Sequence, residues 1–458
     1  MVKVTVYITN YNYENYIEQS IESVLSQSDV DFELLIIDDG STDNSKSIIE
    51  RYRDRPEVQI IYQKNKGLNI TNNIALRLAQ GKYIMRLDAD DYLEQDALAS
   101  MANILDERDD MGLVFPDYYI VDAKGQRLEH IKRHNFDSEV SLFDVPAHGA
   151  CTLIRTDNLK ALGGYNENYT CQDGYELWIK FISQYKVTNI SKPLFNYRRH
   201  GSNLTNNEGR ILATRAKIHQ EHVEKKYGQL NAIAIIPIRM DGKANKLALS
   251  DLGDKKLLDF KINAAFDSEK VRHIIISSPD LDIGRYITQR YPDSERIHFH
   301  YREKALARIN QDLNASIQHI IDDHQHLMQD ITTIALLYQE YPFIQAQTID
   351  DAINALYLFD SDTLISIRED SRMLFQHDGS GLKPILEHDR FTKLERETVY
   401  KFSGGTTVMK VDSWNKNRNV MSGKIGHIHI TDLESIHVNN LMELDFARLL
   451  IESKTVEV

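Results

Sequence analysis

At 458 residues the chain is too long for one ordinary hydrophobic core, so two domains are the expectation. Charged residues at 27% and hydrophobic residues at 42% are ordinary for a soluble globular protein. A net charge of -14 excludes nucleic acid or an anionic membrane surface as the main partner, since both favour a basic face. Nucleotide binding stays open, because a divalent cation can join phosphate to carboxylate. Two cysteines, Cys151 and Cys171, make no disulfide framework and fit a reducing cytoplasm. The N-terminus carries no secretory leader pattern and reads as a first strand. No stretch approaches the ~18 apolar residues needed to span a bilayer.

In chain order, residues 4–8 form a β-rich run and 16–26 an amphipathic helix. A second strand at 32–37 ends in Asp38-Asp39-Gly40-Ser41. A helix is expected at 45–52, a strand at 59–62 and a helix at 69–79. The strand 83–87 then runs directly into Asp88-Ala89-Asp90-Asp91. This alternation predicts a mostly parallel sheet, whose binding crevice lies beyond the carboxyl ends of the strands. Three polar clusters occupy such ends: 9–12, 38–41 and 88–91.

Residues 205–228 read as a basic linker helix stopped at Gly228, and the domain limit is set at 228–231. A second alternating series follows, with strands at 232–238, 273–277, 332–337, 363–367 and 406–411. Helices are expected there at 254–266, 304–324 and 349–358. Both domains, 1–228 and 231–458, are therefore α/β, without low-complexity segments or short repeats.

Asp88 and Asp90 stand two apart in an extended segment, so both carboxylates can face one spot. Such a pair suits a hard cation, magnesium or manganese, that neutralises a departing diphosphate. The plain alternative is a solvated acidic turn with Asp91 as a helix cap. At Asp38–Asp43 the alternative is a turn capped by Ser41 or Asp43, against carboxylates that hold a base and ribose. Both can hold at once.

The ordered set Thr9-Asn10-Tyr11-Asn12, Asp38-Asp39-Gly40-Ser41-Thr42-Asp43, Asn65-Lys66-Gly67, Arg86-Leu87-Asp88-Ala89-Asp90-Asp91 and Gln172-Asp173-Gly174-Tyr175-Glu176-Leu177-Trp178 resembles the family 2 glycosyltransferases. The resemblance covers about the first half of the chain. It implies a GT-A, Rossmann-like domain and a nucleotide-sugar donor, UDP-linked as the family expectation. The acceptor it implies is a hydroxyl of a glycan or lipid-linked precursor. Thr9, Asn10 and Tyr11 match the nucleotide-binding loop, and Asp38, Asp39, Asn65 and Gly67 the base and ribose contacts. Asp90 matches the metal ligand, with Asp88 beside it as a ribose or water-mediated partner and second metal ligand, and Ala89 between them. Asp173 matches the catalytic base, which deprotonates the acceptor hydroxyl in an inverting transfer. The plain alternative makes Asp173 a cap of a helix at 175–183.

Asn72-Asn73 departs from the Arg-Asn of many relatives and removes one cation from that helix. His148-Gly149-Ala150, before a strand at 151–154, falls where relatives shape the acceptor pocket. After a strand at 194–197, Arg198 or Arg199 is a candidate diphosphate clamp and His200 a candidate metal ligand.

In the second half, Ile236-Pro237-Ile238-Arg239-Met240-Asp241-Gly242-Lys243 with Lys246 and Leu252-Gly253-Asp254-Lys255-Lys256-Leu257-Leu258 resembles the cytidylyltransferases that make CMP-activated acidic sugars. Arg239 and Lys243 are the triphosphate candidates. The loop, however, lacks a Gly-Ser pair, and the metal-binding Asp-X-Asp of that family is replaced by His437-Val438-Asn439. A cytidylyltransferase-like, nucleotidyltransferase-type fold with lost or altered catalysis is therefore expected. The alternatives are a bifunctional enzyme that also forms a CMP-sugar, and a non-catalytic binding or dimerisation module. A homodimer and peripheral association with the inner face of a membrane are open expectations. His427 and His429 share a strand face and, with His437, make a weak zinc candidate. The segment 322–326 reads as a solvated helix end.

Overall fold

The computed structural model describes residues 2–132, 148–169, 171–200, 208–239, 247–307, 313–370, 375–377, 379–384 and 399–453. Their contacts separate into two compact units, Met1–Thr214 and Arg215–Val458. The division runs through the helix Glu208–Tyr227, whereas the sequence reading set it after that helix.

The first unit holds nine strands: β1 (Val4–Asn10), β2 (Phe32–Asp38), β3 (Val58–Tyr62), β4 (Tyr83–Asp88), β5 (Tyr92–Leu93), β6 (Met111–Val121), β7 (Arg127–Ile131), β8 (Leu153–Arg155) and β9 (Lys186–Arg198). They form one sheet in the order β3-β2-β1-β4-β8-β6-β9-β5, with β7 paired to β6. The β3-β2-β1-β4 part is parallel and Rossmann-like. Beyond β4 the sheet is mixed: β8 is antiparallel to β4 and β6, β5 is antiparallel to β9, and β6 and β9 run parallel. The expectation of a mostly parallel sheet thus holds for one half only.

Side-chain alternation explains the layering. Val4, Val6 and Ile8 of β1 share one buried cluster with the helices Ile17–Leu25 and Ala97–Glu107. Tyr7 faces the other side, with Leu35 and Ile37 of β2 and the helices Leu68–Leu78 and Asp173–Ile182. The last helix is pinned by the buried Leu177 and Trp178 and, three to four residues on, the buried Phe181. Truncating either aromatic to Ala costs about 3–5 kcal/mol. That anchorage fixes the first helical residue, Asp173, over the sheet.

The strand register sets the crest. Asn10 stands opposite Asp38 and Thr9 opposite Asp88, so three adjacent parallel strands end at one level.

The second unit carries a seven-stranded sheet in the order Ile297–Tyr301, Val271–Ser278, Ala232–Pro237, Thr333–Leu337, Val399–Lys410, Thr363–Asp370, Ile425–His429. The first four strands are parallel, and Val399–Lys410 is antiparallel to both neighbours. Among the described residues no helix is long and apolar enough to cross a membrane.

Candidate active site

The three polar clusters read from sequence meet at the crest of β1, β2 and β4. Asp38 accepts from Asn10 Nδ2 at 2.7 Å and from the Ser41 backbone N–H at 2.9 Å. Ser41 Oγ in turn accepts from Asn10 Nδ2 and from the Asn12 N–H, and Thr42 N–H donates to Asn12 Oδ1. These bonds zip the 10–12 loop to the 41–43 loop, with Asn12 in the left-handed region at φ 61°. Tyr11 is left projecting from the zipped loops, half exposed. Asp43 accepts from the Ser45 N–H at 3.0 Å and from the Glu14 N–H at 2.9 Å, while the cap position of the helix that follows is Asn44.

Asp39 is built differently. Its Oδ1 accepts from Gln63 Nε2 and the Lys66 N–H, and its Oδ2 from the Gly67 N–H at 2.9 Å. Gly40 has to be glycine here: its φ is 84°, and an added Cβ would sit 2.8 Å from the Asn65 nitrogen. Asn65 itself is exposed at the rim, while Gly67 serves the site through its backbone.

At the end of β4, Arg86 is buried and bridges two carboxylates. Its Nε lies 3.0 Å from Asp88 Oδ1, and its Nη1 donates to Asp173 Oδ2. Asn72 Nδ2 reaches the same Asp173 oxygen at 3.5 Å. Asn72 Oδ1 is buried without a partner among the described residues. Asp173 therefore opens its helix but spends its carboxylate on the cleft. Gly149 leaves the space: a Cβ there would lie 2.7 Å from Arg86 Nη2. Beneath this layer Tyr7 donates to Tyr165 at 3.2 Å.

Asp90 and His200 also come together, Nε2 to Oδ2 at 2.9 Å, both side chains less than a tenth exposed. Tyr16 stacks on the imidazole at 5.2 Å between ring centres. Burial pushes the Asp88 carboxyl up to about 6; Arg86 pulls it down and the charge of Asp90 adds to the rise. Burial and the charges of Asp90 and Asp88 raise Asp91 well above the usual carboxylate range. Asp91 is neither solvated nor a helix cap: at 1% exposure it accepts from the Arg198 N–H at 2.8 Å. Ala89, fully buried, separates the two outward carboxylates.

Arg198 corrects an expectation. Read as a diphosphate clamp, it is 2% exposed and spends its guanidinium inside the protein. It donates to the backbone oxygens of Asp90, Asp122 and Ala123 and to Gln19 Oε1. Its role is to fix the Asp90–Asp91 turn. Arg198→Ala should therefore lower the melting temperature more than it raises the donor KM. Losing several charged hydrogen bonds on the order of 3 kcal/mol corresponds to roughly 6–12 °C in a unit of this size. A stable variant with a much higher donor KM would restore the clamp.

Of the other expected residues, Arg239 belongs to the second unit, and Lys243 lies outside the described residues. His148 is wrapped by Tyr118, Phe195 and Tyr197. Arg86 was missed as a functional residue. Its signal was available: apart from the terminal Asp88 it is the one charge in an otherwise apolar strand, a position a buried arginine holds only when paired.

Residues 5–163 match the family described as Glycosyl transferase family 2. That match falls within the first unit. The chain is 35% identical over 206 residues to a chondroitin synthase of Escherichia coli, covering 44% of this chain and 29% of that one. It is 31% identical over 208 residues to a hyaluronan synthase of Pasteurella multocida, covering 44% and 21%. A glycosyltransferase of Haemophilus influenzae is 29% identical over 280 residues, covering 54% and 84%. The chain thus spans under a third of the length of the two synthases. A crystal structure of S. aureus TarS 1-349 in complex with UDP-GlcNAc aligns with 48% of the chain and 67% of its own, at 22% identity and a TM-score of 0.42.

Proposed function

We infer that the chain is an inverting, metal-dependent glycosyltransferase that moves a sugar from a nucleoside-diphosphate donor, UDP-linked, to a hydroxyl of a cell-surface glycan or glycolipid precursor. The observation that carries the reading is the pair of carboxylate sites on one crest: Asp90 with His200, and Asp173 with Arg86. The synthases among the relatives support a polysaccharide acceptor.

The donor set fits a divalent cation. Asp90 and His200 offer one oxygen and one imidazole nitrogen side by side, and Asp88 adds a partly exposed carboxylate. Manganese accepts such a set, and magnesium the carboxylates alone. When bound, the cation neutralises charge gathering on the departing diphosphate. The protein does the rest. The 10–12 and 38–41 loops hold the nucleotide, with Tyr11 flanking the base and Asp39 offering the remaining capacity of Oδ2 to a ring N–H or ribose hydroxyl. Asp173 accepts the acceptor's proton as that oxygen bonds to the anomeric carbon and the carbon–phosphate-oxygen bond breaks with its electron pair. Arg86 holds the Asp173 carboxylate in place. This reading puts the enzyme in the cytoplasm, with a lipid-linked acceptor met at the inner face of the membrane.

Titrating the full chain with UDP, CMP and GDP, with and without manganese, tests it. UDP should bind most tightly, manganese should strengthen UDP and GDP, and CMP, lacking a diphosphate, should gain little. Three equal affinities indifferent to manganese would overturn it.

The second unit is best read as a cytidylyltransferase-like domain with lost catalysis. Val438 N–H donates to the Glu340 backbone oxygen at 2.7 Å, and His437 packs on Tyr341 at 4.9 Å, so the segment that carries the imidazole of His437 and the amide of Asn439 runs beside 338–341. Such a pair binds magnesium poorly. Pyrophosphate release from CTP, magnesium and an acidic sugar by the full chain would instead favour the bifunctional alternative.

A further inference from the structure

Six histidines of the second unit converge on one side of its sheet. His273 Nδ1 and His298 Nε2, on neighbouring strands, are 3.4 Å apart. His298 and His300 lie two apart on the edge strand Ile297–Tyr301 and share a face. His324 contacts both rings, at 6.2 Å and 5.4 Å between centres, and His326 follows at 6.1 Å from His324. The segment 322–326 is a largely exposed helix end, as expected, and its His324 and His326 also border this array.

The end of the array nearest the helix Leu313–Asp323 has the geometry of a metal centre. That helix buries Leu313, Ile317 and Ile320 against the sheet. The same seating turns His319 and Asp323, one helical turn apart, toward the edge strand. His319 Nδ1 is 3.4 Å from His300 Nε2 and 3.5 Å from Asp323 Oδ2. One nitrogen from each ring and one carboxylate oxygen all lie within 4.8 Å of one another. Bonds of about 2.1 Å in a tetrahedral zinc centre put its ligands about 3.4 Å apart. Among the described residues this is the group so placed; His427 and His429 face Tyr400 instead, and His437 faces Tyr341.

We propose that His300, His319 and Asp323 form a zinc site in the second unit, separate from the cation of the transfer site. Two imidazoles and one carboxylate suit zinc better than magnesium, which takes oxygen ligands and keeps its waters. His300 is 3% exposed, while His319 and Asp323 are 40% and 52% exposed, so the fourth corner opens to water. The ion fastens the edge strand, which pairs on one side only, to the helix packed beside it.

The test uses the full chain carrying Asp90→Ala, which weakens the other site, freed of any affinity tag and stripped with a chelator. Cobalt should give the visible absorption of a tetrahedral centre, and zinc should displace it at one ion per chain. His319→Ala and Asp323→Ala, both at partly exposed positions and checked for folding by circular dichroism, should each weaken zinc by more than the roughly 10–100-fold that a residue one step removed from an ion costs. Zinc should also raise the melting temperature of the parent and not of these variants. A cobalt spectrum and stoichiometry unchanged by both substitutions, or no zinc bound by the parent, would overturn the site.

Discussion

Asp173→Asn should abolish sugar transfer while leaving donor nucleotide binding and the melting temperature nearly as they were. The amide is isosteric and keeps an oxygen for Arg86 Nη1, so whatever the Arg86–Asp173 contact does for packing survives. What does not survive is the capacity to take a proton. A positioned general base contributes about 10²–10⁴ in rate. The drop should therefore fall in kcat, by about three orders of magnitude, with donor KM changed little. Arg86→Met should be equally inactive for a different reason and less stable, because it leaves Asp88 and Asp173 facing each other without a cation. A purely structural Asp173 predicts the reverse pattern: an active Asn variant beside a dead Arg86→Met. Transfer by Asp173→Asn at a rate within a few-fold of the parent would remove this residue from the chemistry.

The crest was legible because its parts are local. Asp38, Asp88 and Asp90 follow apolar runs directly, and a parallel sheet must bring such ends to one edge. Most of what was missed depends on pairings far apart in sequence. Arg86 meets Asp173 across 87 residues, and Arg198 meets the backbone of Asp90 across 108. A buried arginine and a ligand-binding one look alike until their acceptors are known. β9 escaped except for its last residues because Lys186, Asn189, Lys192 and Pro193 interrupt its apolar pattern, and its pairing with β6 shifts register three times. The histidine array escaped for the same reason. Its members sit on two strands, one helix and the turn after it, and only their neighbourhood gives them a chemistry.

Asp90→Ala is the companion expectation, and it separates nucleotide binding from its dependence on the cation. Asp88, Asp90 and Asp91 gather three carboxylates at the end of β4, while the two buried cations there are already engaged: Arg86 with Asp88 and Asp173, Arg198 with backbone oxygens. A diphosphate brought to this edge meets net repulsion unless a further positive charge lies between. Asp90, held by His200 at 2.9 Å, is the side chain best placed to fix that charge. Removing it should cost about 10²–10³ or more in kcat, the scale of losing one group that stabilises transition-state charge. It should also bring the affinity for UDP in manganese down to its value in chelator. The contacts of the 10–12 and 38–41 loops remain, so binding in chelator should be unchanged. His200→Ala removes the imidazole ligand while the carboxylate stays, and should give an intermediate loss that higher manganese restores. If manganese still tightens UDP in Asp90→Ala as it does in the parent, the cation is held elsewhere and the assignment of this turn fails.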